Sequence, residues 1–265
     1  QSMILIAVIT IIEVGALVYA VAVAEGELSQ LAVEWREFVP PMDADIWVGI
    51  FSAAFLAFYA FIGFEDMVNI AEEAKDPRRA LPIAIVVSVV LSTVIYVLVS
   101  LAALLSVPPA QLAVSNTPVA EMVRGHGWYS TTGLGIVSLL TGVNGALVQI
   151  IMASRVAYGM ANQGQAPLWL AHVNPHTRTP LRATILVMAI VLLLALFFPL
   201  TTLAKVTSAI ILVVFATINL ALWRIKLRDP DLDGVGPRLP IWWPLLGLVG
   251  AVFVLAFQAW LTFGL

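Results

Sequence analysis

The stretch FYAFIGFED occupies residues 58–66, inside an apolar segment that is long enough to cross a membrane. Two carboxylates, Glu65 and Asp66, follow Gly63 at a depth where hydrocarbon is expected. An aspartate near the bilayer centre costs about 2.5–3.5 kcal/mol on insertion scales. We therefore expect these carboxylates either to hydrogen-bond between helices or to face a water-filled cavity that has a function.

The composition of the chain is that of an integral membrane protein. Of its 265 residues, 61% are hydrophobic and 11% are charged, and the mean hydropathy is +1.00. A soluble domain carries roughly 25% charged residues. The formal net charge of −3 is too small to indicate a nucleic acid partner. We therefore expect the protein to lie in a lipid bilayer and to bind no nucleic acid.

The sequence does not indicate metal, cofactor or enzymatic chemistry. It contains no cysteine, which excludes disulfides and thiolate metal sites. The three histidines, His126, His172 and His176, lie in polar connecting segments, and no HExxH pattern occurs. Because the apolar segments hold no serine–histidine, paired-aspartate or zinc-ligand arrangement, we expect no metal, no cofactor and no enzyme.

Seven apolar segments are long enough to cross a bilayer, which takes about 20 helical residues. We predict spans near residues 3–24, 46–71, 81–106, 132–158, 181–198, 203–223 and 241–264, in a single transmembrane domain over 1–265. Irregular backbone is not tolerated against lipid, so the spans are expected to be helices. The predicted fold class is therefore an all-α integral membrane protein.

The positive residues predict the orientation of the spans. Ten of the 13 Lys and Arg residues lie in alternate loops, namely Lys75, Arg78, Arg79, Arg155, Arg178, Arg182, Arg224, Lys226, Arg228 and Arg238. Loops rich in Lys and Arg stay on the cytoplasmic side of a membrane. We therefore expect a multi-pass protein of the cell's inner membrane with a cytoplasmic N-terminus.

The second predicted span carries signs of a break near residues 59–64. Gly63 stands among bulky aromatic residues, and glycine costs roughly 1 kcal/mol relative to alanine inside a helix. A break would free backbone carbonyls and direct amides into a cavity, an arrangement that binds small charged solutes at the membrane midplane. Glycine alone is weak evidence, because it also permits close helix packing. Its combination with Glu65 favours a binding site.

Three stretches resemble one family of transporters, the amino acid–polyamine–organocation (APC) permeases. FYAFIGFEDMVNIAEEAKDPRRALPIAI at 58–85 resembles the family's sixth helix and the following loop. SRVAYGMANQGQAP at 154–167 resembles the end of the eighth helix, and TIIEVGALV at 10–18 is similar to the fifth. The resemblance implies a partial leucine-transporter-like fold containing helices five to eleven of twelve, without the first four and the last.

The resemblance also implies roles for particular residues. Tyr59 matches an aromatic gate over the substrate, and Glu65 matches a position linked to proton coupling or cavity electrostatics in some members. The unwound segment that receives the substrate's amino group corresponds to Ala60, Phe61, Ile62, Gly63 and Phe64. Asn144 matches a position facing the centre of the family's eighth helix, although it could equally hydrogen-bond to a neighbouring helix.

Five further residues have both a functional and a structural reading. Glu13, midway along the first span, is either a second proton-coupling group or an interhelical hydrogen-bonding residue. Glu72 and Glu73 could pair with Arg155, as a cytoplasmic gate or as a structural ion pair. Ser208 is a candidate for lining the substrate cavity, or it hydrogen-bonds to its own helix.

The predicted function is a secondary active transporter of amino acids or related amines that works by alternating access. Proton coupling is favoured over sodium coupling, and the oligomeric state is left open. The alternatives are an amino acid or polyamine exchanger on the same scaffold, and a membrane sensor or remnant that does not transport. An exchanger requires counter-flow, whereas a sensor binds its ligand without flux.

Overall fold

The computed structural model describes residues 2–23, 39–69, 76–115, 117–124, 128–175, 178–228 and 240–263. Within these ranges the chain forms helices and no strand, which confirms the all-α prediction. The chain divides into two compact units. Unit 1 comprises residues 1–39 and 90–191, and unit 2 comprises residues 40–89 and 192–265.

Ten α-helices are described, together with two short 3-10 helices at Tyr59–Phe61 and Leu168–Ala171. The α-helices are α1 (Ser2–Val23), α2 (Ala44–Phe58), α3 (Asp66–Asn69), α4 (Pro77–Ser106), α5 (Pro109–Val114), α6 (Pro118–Met122), α7 (Trp128–Asn162), α8 (Leu181–Phe197), α9 (Leu200–Arg228) and α10 (Trp243–Phe263). Five of the described helical stretches are long and apolar enough to span a membrane: Ala44–Phe61, Arg79–Ser106, Thr132–Asn162, Leu200–Arg228 and Trp243–Thr262. Ala7–Val23 and Leu181–Phe197 are apolar but shorter.

The surfaces of these helices suit an apolar environment. On α4, the side chains of Ile83, Val86 and Val87 are more than half exposed. In water, contiguous exposed apolar surface of this kind would drive aggregation. These faces are therefore fitted to contact lipid or other apolar helices, as expected of a multi-pass membrane protein.

The start of α2 shows how the sequence defines a helix boundary. One carboxylate oxygen of Asp43 accepts hydrogen bonds from the amides of Asp45, at 2.9 Å, and Ile46, at 3.3 Å. These bonds satisfy amides that have no partner within the helix. The indole of Trp47 donates to the Pro41 carbonyl at 3.1 Å. The entry of the chain into α2 is thus held from two sides.

Unit 1 has a core built largely from small residues. Ala20 of α1 and Ala102 of α4 are fully buried, and they cluster with Met122 and with Leu134 of α7. A second cluster joins Ala161, Leu170 and Ala183. Small side chains let helix backbones approach closely, which is how membrane helices gain packing energy when no hydrophobic effect drives them together.

Unit 2 is built around α9, which packs against α10, α2 and the 3-10 turn after α2. Its buried core joins Phe55 of α2, Leu212 of α9 and Ala251 of α10. Phe55 is the anchor of α2, because only 2% of its surface is exposed. This packing holds the end of α2, where the helix stops, against α9.

Candidate functional site

The membrane helix that begins with α2 is interrupted at the stretch quoted above. The α-helical geometry ends at Phe58, and a 3-10 turn follows over Tyr59–Phe61. Ile62 is extended, with φ −66° and ψ 133°. A helical turn resumes only at Asp66. The predicted break in the second span is therefore confirmed.

Gly63 is the reason that the chain can turn at this point. Its φ angle is +129°, in a region that residues with side chains rarely adopt. A Cβ atom built on Gly63 would meet nothing within 4 Å. The requirement for glycine therefore comes from the backbone conformation and not from crowding.

Glu65 stabilises the interrupted segment directly. Its side-chain oxygen Oε2 accepts a hydrogen bond of 2.8 Å from the Gly63 amide, in a half-buried position. The Ile62 amide donates to the Tyr59 carbonyl at 3.2 Å. Two hydrogen bonds thus support the turn: the backbone bond from Ile62 to Tyr59, and the bond from the Gly63 amide to the carboxylate of Glu65, which follows the turn. Sequence reasoning assigned Glu65 to proton coupling and missed this contact with the backbone.

The side chains of the segment differ in exposure. Tyr59 is 40% exposed and Ala60 is also exposed, whereas Phe61, Ile62 and Phe64 are half-buried. An exposed aromatic ring on the 3-10 turn is free to cover a solute beside it. Non-helical backbone at membrane depth is tolerated where it is buried in protein or lines a water-filled cavity. The interruption is therefore suited to receive a small polar solute.

Behind the interruption lies an aromatic cluster that sequence reasoning also missed. The ring of Phe215, on α9, lies 6.2 Å from the ring of Phe58 and 5.7 Å from that of Phe64. Phe58 is the last residue of α2, and Phe64 follows Gly63, so the three rings bridge the break. No sequence signal relates Phe215 to the other two residues, because it lies on a helix distant in sequence.

An apolar cavity of about 130 Å³ lies next to this cluster, between α2, α9 and α10. Its walls include Phe58, Leu212 and Phe257. An amino acid placed there would leave its charged groups without hydrogen-bond partners, at a large cost in free energy. The polar backbone of residues 59–64 is therefore the better candidate site in unit 2.

Ser208 is fully buried on α9, and its hydroxyl oxygen has no hydrogen-bond partner among the described residues. It precedes Phe215 by seven residues, which is about 10 Å along a helix that rises 1.5 Å per residue. Ser208 therefore belongs to the same helix as the aromatic cluster but to a different level of it. Its assignment to the substrate cavity stays a prediction.

Three other predicted residues belong to unit 1. Glu13 is half-buried on α1, and its Oε1 atom has no hydrogen-bond partner among the described residues. Asn144 is half-buried on α7, and Arg155 is exposed on the same helix. Glu72 and Glu73, the predicted gate partners of Arg155, lie outside the described residues. The gate and the role of Asn144 stay predictions.

Within the described part of the chain, no group of three or more His, Asp or Glu residues could hold a metal ion. The described groups at the interrupted helix are backbone amides and carbonyls, the phenol of Tyr59 and the carboxylate of Glu65. Such groups bind and release a solute and can hold a proton. They make the interrupted helix the candidate binding site of unit 2.

Comparison with known proteins identifies the family. The family model described as amino acid permease matches residues 1–264. The chain belongs to the amino acid permease family, which confirms the resemblance to APC permeases.

Several relatives can be named. The branched-chain amino acid permease BcaP of Bacillus subtilis is 32% identical over 231 residues, covering 86% of this chain and 49% of that protein. The methylthioribose transporter of the same species is 28% identical, covering 82% of this chain and 49% of that protein. Cationic amino acid transporter 1 of Arabidopsis thaliana is 34% identical, covering 66% of this chain and 29% of that protein. The chain thus spans about half the length of the Bacillus relatives it matches.

Proposed function

We propose that the protein is a secondary active transporter of amino acids or related amines, which works by alternating access in the cell's inner membrane. The observation that carries this proposal is the helix interrupted at Gly63, whose amide is held by the Glu65 carboxylate. Relatives named for branched-chain and cationic amino acids support the substrate class. Interrupted helices at the midplane are a recurring feature of transporter binding sites.

In this proposal the unwound backbone binds the substrate. Backbone oxygens of the segment from Ala60 to Phe64 receive the amino group, as carbonyls of broken helices do in other carriers. Tyr59 covers the bound substrate with its exposed ring. Ser208, buried on α9 of the same unit, is proposed to contribute to the lining.

The contact of Glu65 with the turn supports the proposed proton coupling. An ionised carboxylate accepts a hydrogen bond roughly twice as strongly as a neutral group does. Protonation of Glu65 would therefore weaken its hold on the Gly63 amide, and a proton would act directly on the backbone that binds the substrate. Glu13, with a buried oxygen that lacks a described partner, is the second candidate carboxylate.

The test is uptake into proteoliposomes by the protein encoded by the complete reading frame. Radiolabelled isoleucine, arginine and methylthioribose serve as probes, each measured with an inward proton gradient, with a sodium gradient and with neither. We expect uptake of an amino acid that the proton gradient accelerates. Uptake only into preloaded vesicles would make the protein an exchanger, and binding without flux would make it a sensor.

The role of Glu65 is tested by Glu65→Gln, which keeps an oxygen acceptor but cannot release a proton. We expect substrate binding to persist while acceleration by the proton gradient is lost. Asp45→Asn is the matched control, because Asp45 is an exposed carboxylate in the first turn of the same helix. Unchanged proton coupling in Glu65→Gln would remove Glu65 from the mechanism.

A further inference from the structure

The contacts of Phe215 cross the interruption of the helix. Its ring meets the Phe58 ring edge-to-face, with an interplanar angle of 88°, and the Phe64 ring in a tilted arrangement, at 39°. Phe58 lies on the first half of the interrupted helix and Phe64 lies past the turn. One side chain of α9 therefore contacts both sides of the break.

The part of α9 that carries Phe215 also contacts α10. The side-chain amide of Asn219 donates a 2.8 Å hydrogen bond to the Phe215 carbonyl. Asn219 lies so close to Gly247 of α10 that a Cβ atom on the glycine would be 2.6 Å from Oδ1 of Asn219. Asn219 therefore contacts the backbone of α10 and also hydrogen-bonds to Phe215, the residue that bridges the break.

We propose that Phe215 is a positioning residue that sets the angle between the two halves of the interrupted helix, with α9 and α10 as the frame on which these halves rest. A continuous helix keeps its halves aligned through backbone hydrogen bonds, but here the ladder stops at Phe58. Side-chain packing must then define the angle. Aromatic pairs suit this purpose, because their interaction depends on ring orientation.

This inference rests on the proposed function only for its effect on transport. The substrate is expected to bind the backbone between Phe58 and Phe64, so a change in the angle alters the positions of its binding groups. Loss of both ring pairs corresponds to about a tenfold change in an equilibrium constant. We therefore expect Phe215→Leu to lower kcat/KM for uptake about tenfold, mainly through a higher KM.

Two variants test whether the aromatic ring itself is responsible. Phe215→Tyr keeps the ring and should retain most of the transport that Phe215→Leu loses. Phe253→Leu is the matched control, because the Phe253 ring, on α10, contacts Phe51 of α2 and Phe257 of α10, and no ring pair among the described residues joins it to Phe58 or Phe64. If Phe253→Leu raised KM as much as Phe215→Leu, or if Phe215→Leu left KM unchanged, the positioning role would be wrong.

A second measurement does not depend on transport. The chain contains no cysteine, so spin labels can be attached at Gly49→Cys on α2 and Val68→Cys beyond the break, both exposed positions. A continuous helix would place these two positions roughly 25–30 Å apart at 1.5 Å per residue, and the break changes that separation. We expect electron–electron distance measurements to give a narrow distribution in the parent protein and a shifted or broader one in Phe215→Leu.

The outcomes of the two measurements separate the two proposals. A changed distance distribution in Phe215→Leu, with none in Phe253→Leu, supports positioning even if no probe is transported, in which case only the proposed function fails. An unchanged distribution overturns the positioning role, whatever the transport result. Should Phe215→Leu not fold, Phe215→Met, which has an apolar side chain without a ring, takes its place under the same criteria.

Discussion

The Gly63 amide donates a 2.8 Å hydrogen bond to the carboxylate of Glu65, two residues further along the chain. This bond closes the turn at the one described position where the membrane helix of unit 2 leaves helical geometry through a positive φ angle. A carboxylate is thus both a structural acceptor and the candidate proton carrier. The stability of the turn and the proposed coupling can be separated by substitution.

Removing the acceptor should destabilise the protein more than replacing it with a neutral acceptor. Hydrogen bonds to charged groups contribute about 1.5–3 kcal/mol. We expect Glu65→Leu to lower the apparent Tm clearly in detergent, measured by tryptophan fluorescence, and Glu65→Gln to lower it much less. A Tm of Glu65→Leu equal to that of the parent protein would show that the bond to Gly63 contributes nothing.

Gly63 should be intolerant of a side chain for conformational reasons alone. An L-residue in a strained backbone region costs on the order of 1–3 kcal/mol, and no steric clash adds to this at Gly63. We expect Gly63→Ala to reduce thermal stability and uptake together.

Gly49→Ala is the control for this substitution. Gly49 lies within α2, and a Cβ atom there also meets nothing within 4 Å. Alanine is favoured over glycine in a helix by about 1 kcal/mol, so this variant should be as stable as the parent or more stable. A similar loss of stability in both variants would contradict the conformational explanation.

Gly247 should be sensitive to a methyl group because of Asn219. The added Cβ atom would lie 2.6 Å from Oδ1 of Asn219, so the amide would have to rotate and weaken its bond to the Phe215 carbonyl. A typical hydrogen bond contributes about 0.5–1.5 kcal/mol, and we expect a loss of that order in Gly247→Ala, measured as a lower apparent Tm. Gly250→Ala, on the same helix with open space around it, should show no loss.

The predicted orientation, with the basic loops on the cytoplasmic side, can be measured with cysteines introduced into this cysteine-free chain. Gln165, after α7, lies in a basic loop, and Gln111, on α5, lies in the opposite one; both side chains are exposed. We expect a membrane-impermeant maleimide to label Gln111→Cys in intact cells and Gln165→Cys only after permeabilisation. The reverse pattern would invert the topology, because the positive-inside rule predicts cytoplasmic basic loops.

Local patterns predicted the helices and the break, but not every element. Gly63 followed by two carboxylates was a sufficient signal for the interruption, because neither feature suits a continuous membrane helix. The short helices α5 and α6 were not predicted, although each begins at a proline, which favours a first helical position.

The contacts of Phe215 could not have been predicted in this way. One phenylalanine occurs on α9 and three occur on α10, and hydropathy does not indicate which of the four packs against the break. Which ring is chosen depends on how closely the helices approach, and that depends on a small residue such as Gly247 opposite Asn219.

By itself the sequence determined that this is an all-α membrane protein of the amino acid permease family, with a helix interrupted at Gly63. Hydropathy, glycine placement and motifs carry that information because they are local properties of the chain. Only the tertiary structure decided that Glu65 holds the turn and that Phe215 bridges it. These contacts depend on backbone angles and on the close packing of helices distant in sequence, which no local pattern encodes.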